Sequence, residues 1–419
     1  MESISIYPPT LDGKNIEQKR QEILKYFNNT YELFEKIFEL LENDKVFYKK
    51  SEPTRHPMIF YFGHTATFFI NKLILMKIID KRVDANFESI FAIGVDEMEW
   101  DDVNSKNYSW PKVEEVRRYR NIVKKIVQDL ICKLEFELPI KQNSAMWIIL
   151  MGIEHERIHI ETSLVLHRQM PLQFIKNIKE LNICTHSSKS PKNDMIKISS
   201  QAVKLGKNIN HNLYGWDNEY GVYKESVNEF KVSKYLVSNA EFMEFVENNG
   251  YEREEFWDED GLKYLKNTNA KHPVFWILKD GVYKYRAISQ IIDMPLDWPV
   301  DVNALEAQAF CKYKSKIDGV TYMLPSEAEY RAIYEQTNIE DLPDFDQNRA
   351  NLNFYHYASS SPVNEFAFHT KNGEVIYDVV GNVWQWSRTF IHPFDGFKVH
   401  EAYDDFSVPT FDEKHLIIV

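Results

Sequence analysis

The sequence predicts an α+β chain, with a four-helix bundle over residues 1–180 and a mixed, irregular domain over residues 181–419. Three observations carry this. Apolar residues recur at three- and four-residue intervals in long runs, but only in the first half. The second half holds short candidate strands between turn-rich segments. The 419 residues exceed one domain at ~150 residues each, which points to two or three units.

Taken in order, residues 16–42 place Ile23, Leu24, Phe27, Tyr31, Phe34, Ile37, Phe38 and Leu41 on one stripe, as an amphipathic helix requires. A second helix follows Pro57 and is apolar nearly all round, hence buried, with His64 in its first half. A third starts at Trp110-Pro111, where proline suits the first helical turn. The fourth follows Asn143-Ser144, a capping pair, and runs to Met170. The connection from Asp80 to Ser109 is long enough for loops or short helices. Between Pro171 and Lys197 the chain turns polar and reads as the linker. Beyond it, strands are expected at residues 196–199, 230–237 and 281–286, with a helix capped at Ser238 or Asn239 and another over residues 303–316.

The charge is −13, from 50 Lys+Arg against 63 Asp+Glu, which argues against a nucleic-acid-binding surface. The three cysteines, Cys132, Cys184 and Cys311, stand far apart, so neither a disulfide framework nor a thiolate zinc site is suggested. No secretory signal and no uninterrupted apolar stretch of ~18 residues is visible, so a cytoplasmic protein off the membrane is expected. Nothing in the pattern sets an oligomeric state.

The chemistry concentrates in histidines. His155 and His159 lie four apart in the fourth helix, so both imidazoles leave one face and can share a metal ion. Read as H-E-x-x-H, the same residues describe a zinc metalloprotease with Glu156 as general base. An extended protease motif needs glycine and histidine where Thr162 and Val165 stand, which weakens that reading. His64 lies in an apolar helix of the same bundle, where an imidazole is costly without a partner, and becomes the natural third ligand. Three neutral ligands leave positions open on the metal, as a catalytic site needs. Spacing does not choose among zinc, iron, copper and nickel.

Three phrases carry a resemblance: RHPMIFYFGHTATFFINKL at residues 55–73, MGIEHERIHIETS at 151–163 and DVVGNVWQWSRTFIHPFDGF at 378–397. Together they resemble the sulfoxide synthases of thiol-histidine biosynthesis, in particular the 5-histidylcysteine sulfoxide synthases of the ovothiol pathway. Those enzymes join a DinB-like four-helix bundle to a domain of the formylglycine-generating type, whose C-type-lectin-like fold is mixed and irregular. GWDNEYG, PVDVNALEAQAFC, MLPSEAEYRA and GNVWQW follow that domain's order.

The resemblance implies an Fe(II), O2-dependent enzyme that joins the sulfur of cysteine to the imidazole of histidine and oxidises it to a sulfoxide. It also implies His64, His155 and His159 as iron ligands. An ergothioneine-type enzyme acting on trimethylhistidine is the near alternative. In those relatives an arginine pair three apart binds the carboxylates of the sulfur donor, and Arg117 and Arg120 have that spacing; a solvated face paired to Glu114 or Glu115 is the other reading. Tyr403 is the counterpart of a tyrosine proton donor, or else a packed aromatic. Trp384 and Trp386 are expected in the core. The second domain is expected to be C-terminally incomplete, because its relatives continue beyond a segment like HLIIV.

Overall fold

A side-chain cap opens the first helix: the Asn15 carboxamide oxygen accepts a bond from the Gln18 amide at 2.9 Å, and α1 spans Ile16–Phe38. It stops four residues short of the periodic pattern. The backbone turns there to pair with a later segment, the Lys176 amide donating to the Leu40 carbonyl and the Glu42 amide to the Phe174 carbonyl. Helix α2 (Met58–Leu75) follows Pro57 and is buried along most of its length. By length and composition it could cross a membrane, yet 78% of it is buried. A short α3 (Ala85–Ile90) is capped by Asp84. Helix α4 (Val113–Lys133) begins three residues after Trp110, where the Glu115 carboxylate accepts from the Lys112 amide at 2.8 Å. Helix α5 (Ala145–Gln169) is capped by Ser144, as the sequence predicts.

The computed structural model describes residues 4–92, 109–337, 339–340, 345–404 and 406–419. Residues 93–108, most of the predicted Asp80–Ser109 connection, lie outside the described residues.

Helices α1, α2, α4 and α5 pack on one another as a bundle around Phe27, Phe34, Phe62, Ile149 and Ile153. Two glycines set its closest approaches. A Cβ on Gly152 of α5 would lie 2.3 Å from the Phe69 ring of α2, and one on Gly63 would lie 2.7 Å from the Phe91 ring. Both flank the histidines in sequence, so they bring α2 against α5 and Phe91 against α2 where His64, His155 and His159 stand.

The chain divides into two compact units. The helical unit takes residues 1–180 together with residues 209–217 and 398–409; the second takes residues 181–208, 218–397 and 410–419. The two late segments are fastened to the bundle's own loops, the Leu11 amide donating to the Asn212 carbonyl and His400 Nε2 bonding the Gln142 carbonyl at 3.0 Å.

The second unit is built from small antiparallel pairs: β1 (Met195–Ile198) with β4 (Phe230–Ser233), β2 (Gln201–Leu205) with β3 (Tyr223–Val227), β8 (Ala367–His369) with β9 (Val375–Tyr377), and β10 (Trp386–Phe390) with β11 (Leu416–Ile418). A three-stranded sheet joins β5 (Trp276–Lys279), β6 (Val282–Arg286) and β7 (Ile291–Asp293). Helices α6 (Asn239–Glu247, capped by Ser238), α7 (Glu259–Thr268), α8 (Ala304–Asp318, capped by Asn303) and α9 (Glu327–Gln336) lie between them. One aromatic core gathers Phe242, Phe245, Trp257, Trp276, Trp298 and Phe310. A second, aliphatic one forms between β1, β2, α9 and Phe368. Trp384 is a correction: it is 56% exposed, outside either core. Trp386 is half-buried and donates its indole N–H to the Val302 carbonyl at 3.0 Å. The polar linker also proves partly packed, since Ile175, Ile178, Leu181 and Cys184 are buried.

Candidate metal centre

His64 projects from α2, and His155 and His159 project from α5 one turn apart, so three imidazoles meet inside the bundle. Ring centroids are 5.0 Å apart for His64–His155, 4.8 Å for His64–His159 and 4.5 Å for His155–His159. One ring nitrogen from each lies within 4.8 Å of the others. His64 Nδ1 is 2.7 Å from the Phe91 carbonyl oxygen. A carbonyl only accepts, so that nitrogen carries the proton and Nε2 keeps its lone pair for a metal.

All three rings are almost fully buried. Burial pushes His64 down to about 4, and burial together with the neighbouring imidazoles holds His155 and His159 well below the ordinary histidine range. The trio is therefore neutral at pH 7, the state in which imidazole ligates. Nδ1 of His155 and Nδ1 of His159 have no hydrogen-bond partner among the described residues. Three uncharged imidazoles gathered at ligating distance, two with unanswered buried nitrogens, fit a borderline cation such as iron(II) or zinc.

Around the trio stand apolar rings. Phe68 stacks on His155 at 3.7 Å and 7°, and Phe60 stacks on His64 at 5.1 Å. Phe68 and Lys72 follow His64 at four-residue steps, so the three share one face of α2. Tyr403, from the segment 398–409 of the helical unit, meets Phe68 edge-on at 5.1 Å, with its ring centroid 6.3 Å from that of His155. The Lys72 ammonium lies 4.1 Å from the Tyr403 centroid. Beside it a small cavity is lined by Trp147, Met151, Tyr214, Trp216, His400 and Phe406 among others.

The arginine pair is a correction. Arg120 is fully buried, and its donors are spent on protein: Nε on Glu35 at 3.1 Å, Nη1 on the Phe62 carbonyl and the Thr65 hydroxyl, and Nη2 on Glu156 at 3.0 Å. Tyr31, Phe34 and Phe62 face its guanidinium. The helix turn that makes i and i+3 neighbours here turns Arg120 into the core, away from exposed Arg117. Arg117 stays exposed, with its guanidinium over Phe62 at 5.1 Å. The predicted pairing to Glu114 is made instead by Arg118, at 2.6 Å.

Glu156 is likewise held away from protease chemistry. It is 0% exposed, and Oε1 accepts from Arg120 and from the Thr65 hydroxyl at 3.1 Å. One residue along a helix is a rotation of about 100°, which carries Glu156 off the histidine face.

Residues 183–405 match the Sulfatase-modifying factor enzyme 1-like domain, over half of the chain. The chain belongs to that family. Residues 26–163 match the DinB superfamily. The chain is also similar to Ergothioneine biosynthesis protein 1 of Schizosaccharomyces pombe, 23% identical over 91% of this chain and 49% of that protein. Its counterpart in Neurospora crassa is 23% identical over 87% of this chain and 50% of its own length. Hercynine oxygenase of Mycobacterium tuberculosis is 22% identical over 48% of this chain and 47% of that protein. The chain spans about half the length of the curated relatives it matches. A DinB-like bundle followed by a domain of the formylglycine-generating type is thus the architecture.

Lys72, Phe68 and the Phe91 carbonyl escaped the sequence reading. A lysine eight residues after His64 in an otherwise apolar helix was the available signal for the first. A backbone carbonyl gives none.

Proposed function

We propose that His64, His155 and His159 hold iron(II) and that the chain is a sulfoxide synthase, using O2 to join a thiol sulfur to the imidazole ring of a histidine derivative. The observation that carries this is the trio of buried neutral imidazoles with the Tyr403 ring beside it. Iron, when bound, supplies one-electron redox chemistry with dioxygen. The balance is one thiol and one imidazole C–H with O2, giving the S-oxidised thioether and water.

This chain's residues do the rest. The Phe91 carbonyl fixes the His64 tautomer. Phe60, Phe68 and Phe91 keep water from the centre, which strengthens every polar contact inside it. The Tyr403 hydroxyl, on a ring beside His155, would serve as the proton donor at the centre, and Lys72 over that ring holds it in place.

Two acceptors fit this chemistry. The relatives' names support hercynine, the trimethylated histidine, as in an ergothioneine-type enzyme. The phrases at 55–73, 151–163 and 378–397 support L-histidine with L-cysteine, as in ovothiol formation. Free thiols at Cys132, Cys184 and Cys311 support a reducing compartment, the cytoplasm. The test is anaerobic purification with metal analysis, then admission of oxygen with cysteine and either acceptor. Conversion of hercynine alone assigns the ergothioneine type, and conversion of histidine the ovothiol type. Stoichiometric zinc with peptide cleavage sinks the proposal.

A further inference from the structure

A second cluster of ligating atoms lies in the other unit. Cys184 Sγ, a ring nitrogen of His186 and a carboxylate oxygen of Glu365 all fall within 4.8 Å of one another. The polar run CTHSS reads in sequence as linker, and Glu365 is 179 residues further along, so no spacing motif announces the group. We propose that Cys184, His186 and Glu365 form a site for a divalent transition metal of the zinc class.

The chain around these residues is pinned on both sides. The Cys184 amide donates to Ser359 Oγ at 2.8 Å, and the Ala358 amide donates to the Asn182 carbonyl at 2.6 Å. Trp298 Nε1 donates to the His186 carbonyl at 2.8 Å. Buried Asp297 accepts from Ser187 Oγ, Ser188 N and Ser188 Oγ at 2.7 to 2.9 Å. Two loops are therefore held in register before any ion arrives, which lowers the ordering cost of binding one.

Donor chemistry selects the ion. A thiolate, an imidazole and a carboxylate are the mixed S/N/O set that suits Zn2+ and disfavours Mg2+ or Ca2+. Three protein ligands leave a fourth position, and the Tyr357 hydroxyl stands beside it, 3.3 Å from His186 Nδ1 and 3.0 Å from Glu365 Oε1. Cys184 is buried while His186 and Glu365 are exposed, so an ion has an open side from which to enter. Burial pushes the Cys184 thiol up to about 11, so the ion must displace the thiol proton to solvent. Affinity should rise with pH accordingly.

Cobalt(II) added to the full-length chain is the probe, because a sulfur ligand gives a near-ultraviolet charge-transfer band that a three-histidine site cannot. The expected result is a band abolished by Cys184→Ser, unchanged by Cys132→Ser or His64→Ala, and removed by added zinc. His186→Ala, at an exposed position, should weaken cobalt binding by about tenfold or more. Absence of the band, its survival in Cys184→Ser, or undiminished affinity in His186→Ala overturns the proposal.

Discussion

His155 and Glu156 are consecutive, both buried, and face opposite fates across the same bundle. On the Glu156 side, one Arg120 guanidinium is shared between Glu35 and Glu156 Oε1, with Thr65 and the Phe62 carbonyl taking its other bonds, and among the described residues Glu156 Oε2 alone of that carboxylate has no partner. On the His155 side, imidazoles gather with two of their nitrogens lacking a partner among the described residues. Buried polar groups that satisfy each other hold a fold together, whereas buried polar groups left facing one another wait for something from outside. The contrast separates a structural ion pair from a receiving site that the shared H-E-x-x-H motif had fused.

The sharpest break of this comparison is on the receiving side. Alanine in place of His64, His155 or His159 should remove most bound iron and oxygen-dependent turnover, while circular dichroism keeps the helical signal. Loss of folding in all three variants would make the trio structural.

On the other side, Arg120→Met leaves Glu156 buried without its cation and should cost about 3–5 kcal/mol in denaturant unfolding. Anaerobic iron content should be retained, and iron lost along with stability would join the two faces into one. His167, also buried, sharpens the same side. Burial pushes its pKa down to about 4 against an ordinary 6.5, so the folded state resists the proton that the unfolded chain takes. Its contribution is complete above pH 6.5 and is lost as pH falls toward 4, about 3 kcal/mol in all. A His167→Phe variant should show a shallower acid unfolding profile between those pH values; an unchanged profile refutes the assignment.

Tyr403→Phe should slow turnover by about 100-fold with iron content intact, as removal of a proton donor does. An unchanged rate would return Tyr403 to packing. The smallest effect belongs to Arg117→Ala, within about 0.5 kcal/mol in stability and with no change in thiol KM. A large rise in KM would restore a carboxylate-binding role to that arginine.

Helices α1, α2, α4 and α5 were legible because apolar periodicity is local, and so was the His155–His159 pair, since four residues make one turn. His64 was legible through the cost of an imidazole in an apolar helix. Arg120 was misread for a matching reason: spacing says which residues neighbour along a helix, but only packing against α1, α2 and α5 says whether that face meets solvent or core.

By itself, then, the sequence determined the helical and mixed halves, the caps at Ser144 and at Ser238 or Asn239, and three histidines fit for a metal. Tertiary structure alone decided that residues 398–409 return to the helical unit and set Tyr403 beside His155, that Phe91 orients His64, and that Cys184 meets Glu365. Each of those joins residues remote along the chain, and sequence distance carries no information about which surfaces a folded core brings together.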